Sequence, residues 1–282
     1  MNKLQPTTKS FENYIRLGYE HNFQKMNSTQ LVLLKDISFI DNSVLILDDI
    51  FDQSKTRNGK PCLYFKEGIQ KAILTAELLK SKSIDSLTKL MEVSKTSKEN
   101  QIQIFKKLND FFKNVYLGEK IDFELSSIEK YEPSLIKKYF KMIRLFTGGH
   151  IKFSLEIGQL LSNKKVDSCL SKIAISLGAV RQIYDDFQDY YNEHHEPCGD
   201  LITHSNRIPE LLFKKFKGST TQVEKYIELK DYTKIKSLVL NKKVRKELHK
   251  YCKLELSKIK KIKTNFEYAN LIEDFDKILT KL

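Results

Sequence analysis

Only five prolines, Pro6, Pro61, Pro133, Pro197 and Pro209, punctuate these 282 residues, and glycine is nearly as scarce, at ten. Long stretches of Leu, Ile, Lys and Glu run between them, and these residues lose little on entering a helix. A chain so poor in turn formers is a weak candidate for a β-rich fold or for disorder. Apolar residues recur at helical spacing over 28–52, 66–82, 99–117, 134–162, 167–190, 208–216 and 242–281, and strand-type alternation is nearly absent. Segments 53–65 and 191–207 read as loops, the first around Asn58-Gly59-Lys60-Pro61 and the second around Pro197 and Gly199. The expected fold is all-α, a bundle of ten or more helices. No linker, repeat or shift of composition divides it, so one domain over 1–282 is expected.

The formal charge is +13, yet only six of the 49 basic residues are arginine. Nucleic-acid binders more often cluster Arg with aromatics. Lysines spread along the whole chain instead suggest a solvated surface, able to steer an anionic substrate but with no nucleic acid as partner. The Lys-rich stretch over 253–263 reads as one such solvated helix face. Cys62, Cys169, Cys198 and Cys252 form no CxxC pair and suggest neither a zinc site nor a disulfide framework, which fits a reducing, cytoplasmic setting. The N-terminus MNKLQPTTKSFENY has no apolar signal region. The longest apolar run, around Val44 to Leu47, is far too short to span a bilayer, so no stable membrane insertion is expected.

Chemistry concentrates at two places. Ser43-Val44-Leu45-Ile46-Leu47-Asp48-Asp49-Ile50-Phe51-Asp52 reads as an apolar helix ending in acid, and Gln182-Ile183-Tyr184-Asp185-Asp186-Phe187-Gln188-Asp189 repeats the pattern. Asp48 and Asp52 share a helix face, as do Asp185 and Asp189. Carboxylates crowded at a helix C-terminus repel one another and oppose the macrodipole, so a bound cation is expected. Magnesium suits them, because it takes one or two carboxylates together with substrate phosphates and water. A single DDxxD run also fits an acidic helix end in solvent; two, each after an apolar helical run, favour metal–diphosphate chemistry.

On these residues the chain resembles the trans-isoprenyl diphosphate synthases, and the eukaryotic geranylgeranyl diphosphate synthases in particular. Asp48 to Pro61 looks like the family's first aspartate-rich motif with its basic loop, and Gln182 to Asp189 like the second. Gly118-Glu119-Lys120-Ile121-Asp122 resembles the GQxxD segment, Thr147-Gly148-Gly149 the KTGG segment, and Gly199-Asp200-Leu201 with Pro209 the DLxEGK…P stretch. The resemblance implies an isoprenoid synthase-type helical bundle around a deep central cavity, a homodimer, three Mg²⁺ ions and an allylic prenyl diphosphate. It implies metal ligation by Asp48, Asp49, Asp52, Asp185 and Asp189, with Asp186 beside them in the catalytic cluster. Arg57, Thr147, Gln182 and Lys9 fall at substrate-binding positions, and Ser43 and Val44 floor the prenyl-tail pocket, where small residues leave room for a farnesyl or geranylgeranyl chain. Phe39 and Phe51 are further candidates for shaping that cavity.

The departures fall together. The family holds isopentenyl diphosphate, its second substrate, with cationic side chains. Here Glu12 stands in place of an arginine, Asp41 in place of a histidine or glutamine, Asn58 in place of an arginine, and Phe146 and Ser205 in place of lysines. Acids where a diphosphate needs charge-assisted donors would repel it. A prenyl cation formed without that partner must cyclise, lose a proton or capture water, which is terpene synthase chemistry. The diphosphate itself is the expected base, since no dedicated His or Glu stands out. The alternatives are a true prenyltransferase with a weakened second site and a non-catalytic regulatory subunit. Glu193-His194-His195-Glu196 reads as an exposed polar loop in preference to a zinc site, and His150 as a packing or cavity-lining residue.

Overall fold

The computed structural model describes residues 11–20, 24–57, 59–126, 130–191, 198, 201, 206–218 and 220–262. The helices are α1 (Phe11–Glu20), α2 (Ser28–Ile37), α3 (Phe39–Phe51), α4 (Leu63–Glu67), α5 (Ile69–Val93), α6 (Lys98–Ser126), α7 (Pro133–Leu145), α8 (Thr147–Leu161), α9 (Ser168–Gln188), α10 (Ile208–Lys215), α11 (Thr220–Glu228), α12 (Tyr232–Val239) and α13 (Lys242–Lys260). A 3-10 turn, Asp189–Tyr191, follows α9. The strands among the described residues are β1 (Thr56–Arg57) and β2 (Lys60–Pro61), which pair as a hairpin. The all-α expectation holds. No described helix is long and apolar enough to cross a membrane.

The chain folds as two compact units. The first comprises Met1–Lys55, Pro61–Asn114 and Gly149–Ile175; the second comprises Thr56–Lys60, Val115–Gly148 and Ser176–Leu282. In the first, α2, α3 and α4 pack on α5, and α1 packs on α2. Helices α1 and α8 approach closely: a Cβ on Gly18 would meet the Leu155 carbonyl oxygen at 2.2 Å, and one on Gly158 the Ile15 carbonyl oxygen at 2.0 Å. In the second, α10 packs on α7, α12 and α13. The core of each unit is aliphatic and aromatic, with Ile15, Ile40 and Leu155 buried in the first and Tyr139, Ile183 and Phe187 in the second.

Two long helical stretches read from the sequence are each divided. The stretch 28–52 breaks at Ser38, which ends α2 and opens α3. The stretch 134–162 breaks at Phe146, whose ψ of −88° turns the chain out of helix. Helices α1, α11 and α12 lie outside the apolar-periodic segments; each is only eight to ten residues long, and helices this short are marginal without tertiary packing.

Candidate active site

In the first unit, α3 carries the first acidic cluster at its C-terminal end. Asp48 and Asp52 are half-buried, whereas Asp49, about 100° further round the helix, is buried. Burial first, then Cys62 and the Asp49 charge, hold the Tyr64 hydroxyl above its ordinary pKa. Asp52 caps α3, its backbone N–H donating to the Asp48 carbonyl at 2.8 Å. Gln53 then adopts a left-handed φ of 54°; Arg57, on β1, belongs to the second unit. Ser43 and Val44, one turn before the acids, are buried at 2% and 5% exposure. Phe39 lies under the Lys82 ammonium at 4.4 Å, and Phe51 is exposed.

In the second unit, α9 presents the second cluster in the same way. Asp185 is exposed and stands 3.5 Å from the Arg181 guanidinium, and Asp189 is half-buried. Asp186 is buried and accepts hydrogen bonds from the Tyr139 hydroxyl (2.6 Å), the Gln182 amide (2.8 Å) and the Ile208 backbone N–H (3.4 Å). Burial and then the Asp186 charge push the Tyr139 hydroxyl well above its ordinary range, so tyrosine is the donor in that bond. The Thr147 hydroxyl donates to the Gln182 side-chain carbonyl at 2.5 Å. One chain of hydrogen bonds, Thr147 to Gln182 to Asp186, therefore joins two substrate-binding candidates to a candidate acid.

The same unit locks Asp122, of the GQxxD-like segment, to Arg207 at 2.7 Å. Gly118 accommodates Phe146: a Cβ there would lie 3.4 Å from the Phe146 Cβ. A phenyl group packed at the start of α8 replaces the cation expected there. In the first unit, Asp41 stands 3.2 Å from His150 Nε2. Tyr139 and Arg207 were not legible as partners, being 47 and 85 residues from the carboxylates they hold. Lys9, Asn58, Asp200, Ser205 and the 193–196 run lie outside the described residues.

Carboxylates are the donors that magnesium takes, though Asp49, expected as a ligand, is buried. Among the described residues no three His, Cys, Asp or Glu side chains converge into a ready-made metal cage. Exposed or half-exposed carboxylate pairs, Asp48 with Asp52 and Asp185 with Asp189, are instead what an ion completed by phosphate oxygens and water requires.

An all-α fold bearing two such acidic helix ends defines a class of isoprenoid synthase-type proteins. The polyprenyl synthetase family model matches residues 10–239, and the chain belongs to that family. The short chain isoprenyl diphosphate synthase of Methanocaldococcus jannaschii is 30% identical over 155 residues, 54% of this chain and 45% of that protein. Conidiogenone synthase of Penicillium rubens is 27% identical over 218 residues, 72% of this chain and 28% of that protein. The chain thus spans less than half the length of these curated relatives. Among solved structures, the polyprenyl synthase of Caulobacter crescentus, complexed with calcium and isoprenyl diphosphate, superposes with a TM-score of 0.72 at 17% identity, covering 96% of this chain and 83% of that one.

Proposed function

We propose that this chain ionises an allylic prenyl diphosphate, farnesyl or geranylgeranyl, and releases a cyclised, deprotonated or hydroxylated terpene in preference to condensing the substrate with isopentenyl diphosphate. Asp48, Asp52, Asp185 and Asp189 would hold the ions. Bound Mg²⁺ would offset the charge that develops on the departing diphosphate. Asp49 and Asp186, both buried, serve as positioning residues beside them. Thr147, its hydroxyl proton engaged by Gln182, would leave an oxygen lone pair to line the surroundings of the ionised carbon, and Arg57 would meet a phosphate oxygen. Ser43 and Val44 leave room for the tail.

The observation that carries the reading is Asp41. Where the family has a neutral or basic side chain for a second diphosphate, this chain has a carboxylate facing His150. An anion there opposes an anionic co-substrate. Phe146, packed against Gly118, removes a further cation. The relatives include both chemistries, and the Methanocaldococcus jannaschii protein keeps chain elongation as the second reading. Incubating the protein with geranylgeranyl or farnesyl diphosphate and Mg²⁺, with and without radiolabelled isopentenyl diphosphate, separates them. A hydrocarbon or alcohol without the second substrate is expected; efficient incorporation of label into longer prenyl diphosphates would overturn the reading. A homodimer is supported by the apolar residues Ile69, Ile73, Leu74 and Leu78 that α5 leaves exposed.

A further inference from the structure

We propose that His150, held by Asp41, is the proton acceptor that ends the reaction. The inference rests on the preceding reading, in which Asp48 and Asp52 hold the diphosphate. His150 Nε2 lies 3.2 Å from Asp41 Oδ1. The nitrogen is buried, and no side chain or backbone group meets it in an aligned hydrogen bond. Around the imidazole stand phenyl rings from two other helices, Phe11 of α1 at 5.0 Å and Phe111 of α6 at 5.1 Å, both edge-on, with Phe153 stacked on Phe111 at 4.5 Å. The pair keeps one edge toward solvent, with His150 17% and Asp41 34% exposed, so it is not closed core packing. A packing role alone would be met better by another phenylalanine.

Its position on α3 supplies the function. Asp41 precedes Asp48 by seven residues and Asp52 by eleven, so the three lie within about 20° of one stripe at 100° per residue. Asp41 is displaced along that stripe from Asp48 by roughly 10 Å at 1.5 Å per residue. A proton acceptor held there is within a prenyl chain's length of the ionising carbon. The carboxylate favours hydrogen on Nε2 and leaves the Nδ1 lone pair as acceptor. In the step itself the allylic C–O bond breaks and its electron pair leaves with the diphosphate. A C–H bond adjacent to the cationic carbon then breaks, its pair becomes the new C=C bond, and the proton moves to the imidazole. Asp41 balances the imidazolium.

The test is product analysis of wild type, His150→Gln and Asp41→Asn with geranylgeranyl diphosphate and Mg²⁺, each variant checked for helicity. Wild type is expected to give an alkene. General-base groups typically contribute 10²–10⁴-fold, so alkene formation should fall by about 10²-fold in His150→Gln. The surviving product should shift toward the water-captured alcohol. Asp41→Asn, at a more exposed position, should shift the product ratio the same way but less. Wild-type turnover with an unaltered product ratio in both variants overturns the proton-acceptor role alone, as does an alcohol as the sole wild-type product. A wild-type protein inert toward every allylic diphosphate overturns the parent reading, and this one with it.

Discussion

Neighbouring aspartates in the second cluster have opposite fates, and a pair of variants should separate them. Asp185 is exposed, and its replacement by Asn should abolish most turnover while leaving the thermal midpoint nearly unchanged, because surface substitutions usually stay within about 0.5 kcal/mol. Asp186 is buried under three donors. Asp186→Asn leaves the Tyr139 hydroxyl and the Ile208 N–H competing for a poorer acceptor, and hydrogen bonds to charged groups are worth roughly 1.5–3 kcal/mol. Its thermal midpoint should fall clearly, as should that of Tyr139→Phe. Equal midpoints for Asp185→Asn and Asp186→Asn would contradict this division. The DDxxD spacing made both clusters legible, and helical periodicity alone sets Asp186 on another face from Asp185 and Asp189. What supports Asp186 was not legible, because Tyr139 reaches it only through tertiary packing. The same holds for Asp41 and His150: the sequence showed an acid in place of a base, and only packing showed what the acid faces.

At the scale of elements, the crossing of α9 on the start of α8 controls the candidate site. A Cβ on Gly178 would come within 2.4 Å of the Gly148 Cα and 2.8 Å of the Thr147 carbonyl carbon. Those neighbours are backbone and cannot rotate away. Gly178→Ala should therefore push the start of α8 off α9, part Thr147 from Gln182 and reduce turnover at least tenfold; overpacking of this kind typically costs about 1–3 kcal/mol. Full activity with an unchanged midpoint would refute the crossing. A further test concerns thiols. Burial pushes Cys198 and Cys252 from an ordinary value of 9.0 up to about 12. Both should resist thiol reagents in the native protein at neutral pH and react on unfolding, and mass mapping of the labelled cysteines would show it. Because the folded-state values are raised, their contribution to stability is complete below pH 9 and is lost as pH rises toward 12. The midpoint should fall over that window beyond the loss in a Cys198→Ala/Cys252→Ala double variant. The sequence showed the long helices well and their interruptions badly. Neither Ser38 nor Phe146 is a breaking residue; the close α8–α9 contact at Gly178 and the packing of Phe146 on Gly118 are tertiary events that no local pattern carries.

For the whole molecule, two measurements bear on assembly and ligand. If α5 is a dimer face, Leu78→Glu, at a site 70% exposed, should convert a dimer to a monomer in light scattering without loss of helicity. A monomeric wild type would remove that role. Carboxylates crowded without a cation destabilise their own helix ends, so Mg²⁺ with inorganic diphosphate should raise the thermal midpoint more than either alone. The expected gain is about 2.7 kcal/mol at a hundredfold excess over Kd. An unchanged midpoint at saturation would count against metal–diphosphate binding at these carboxylates.

Each unit is assembled from three separate stretches of chain, with α6, α8 and α9 contributing to both, and this has a consequence for biosynthesis. Neither unit can be completed before the other has begun to emerge from the ribosome: the first lacks its last segment until Ile175 is out, by which time the whole of Val115–Gly148 of the other has emerged and waits for Ser176–Leu282. Long apolar helices must therefore wait for partners made much later, a state in which exposed apolar surface favours aggregation. Chaperone engagement before residue 175 should raise the yield of active protein, and no single cut of the gene can deliver either unit whole. The absence of any linker in the sequence follows from the same interleaving.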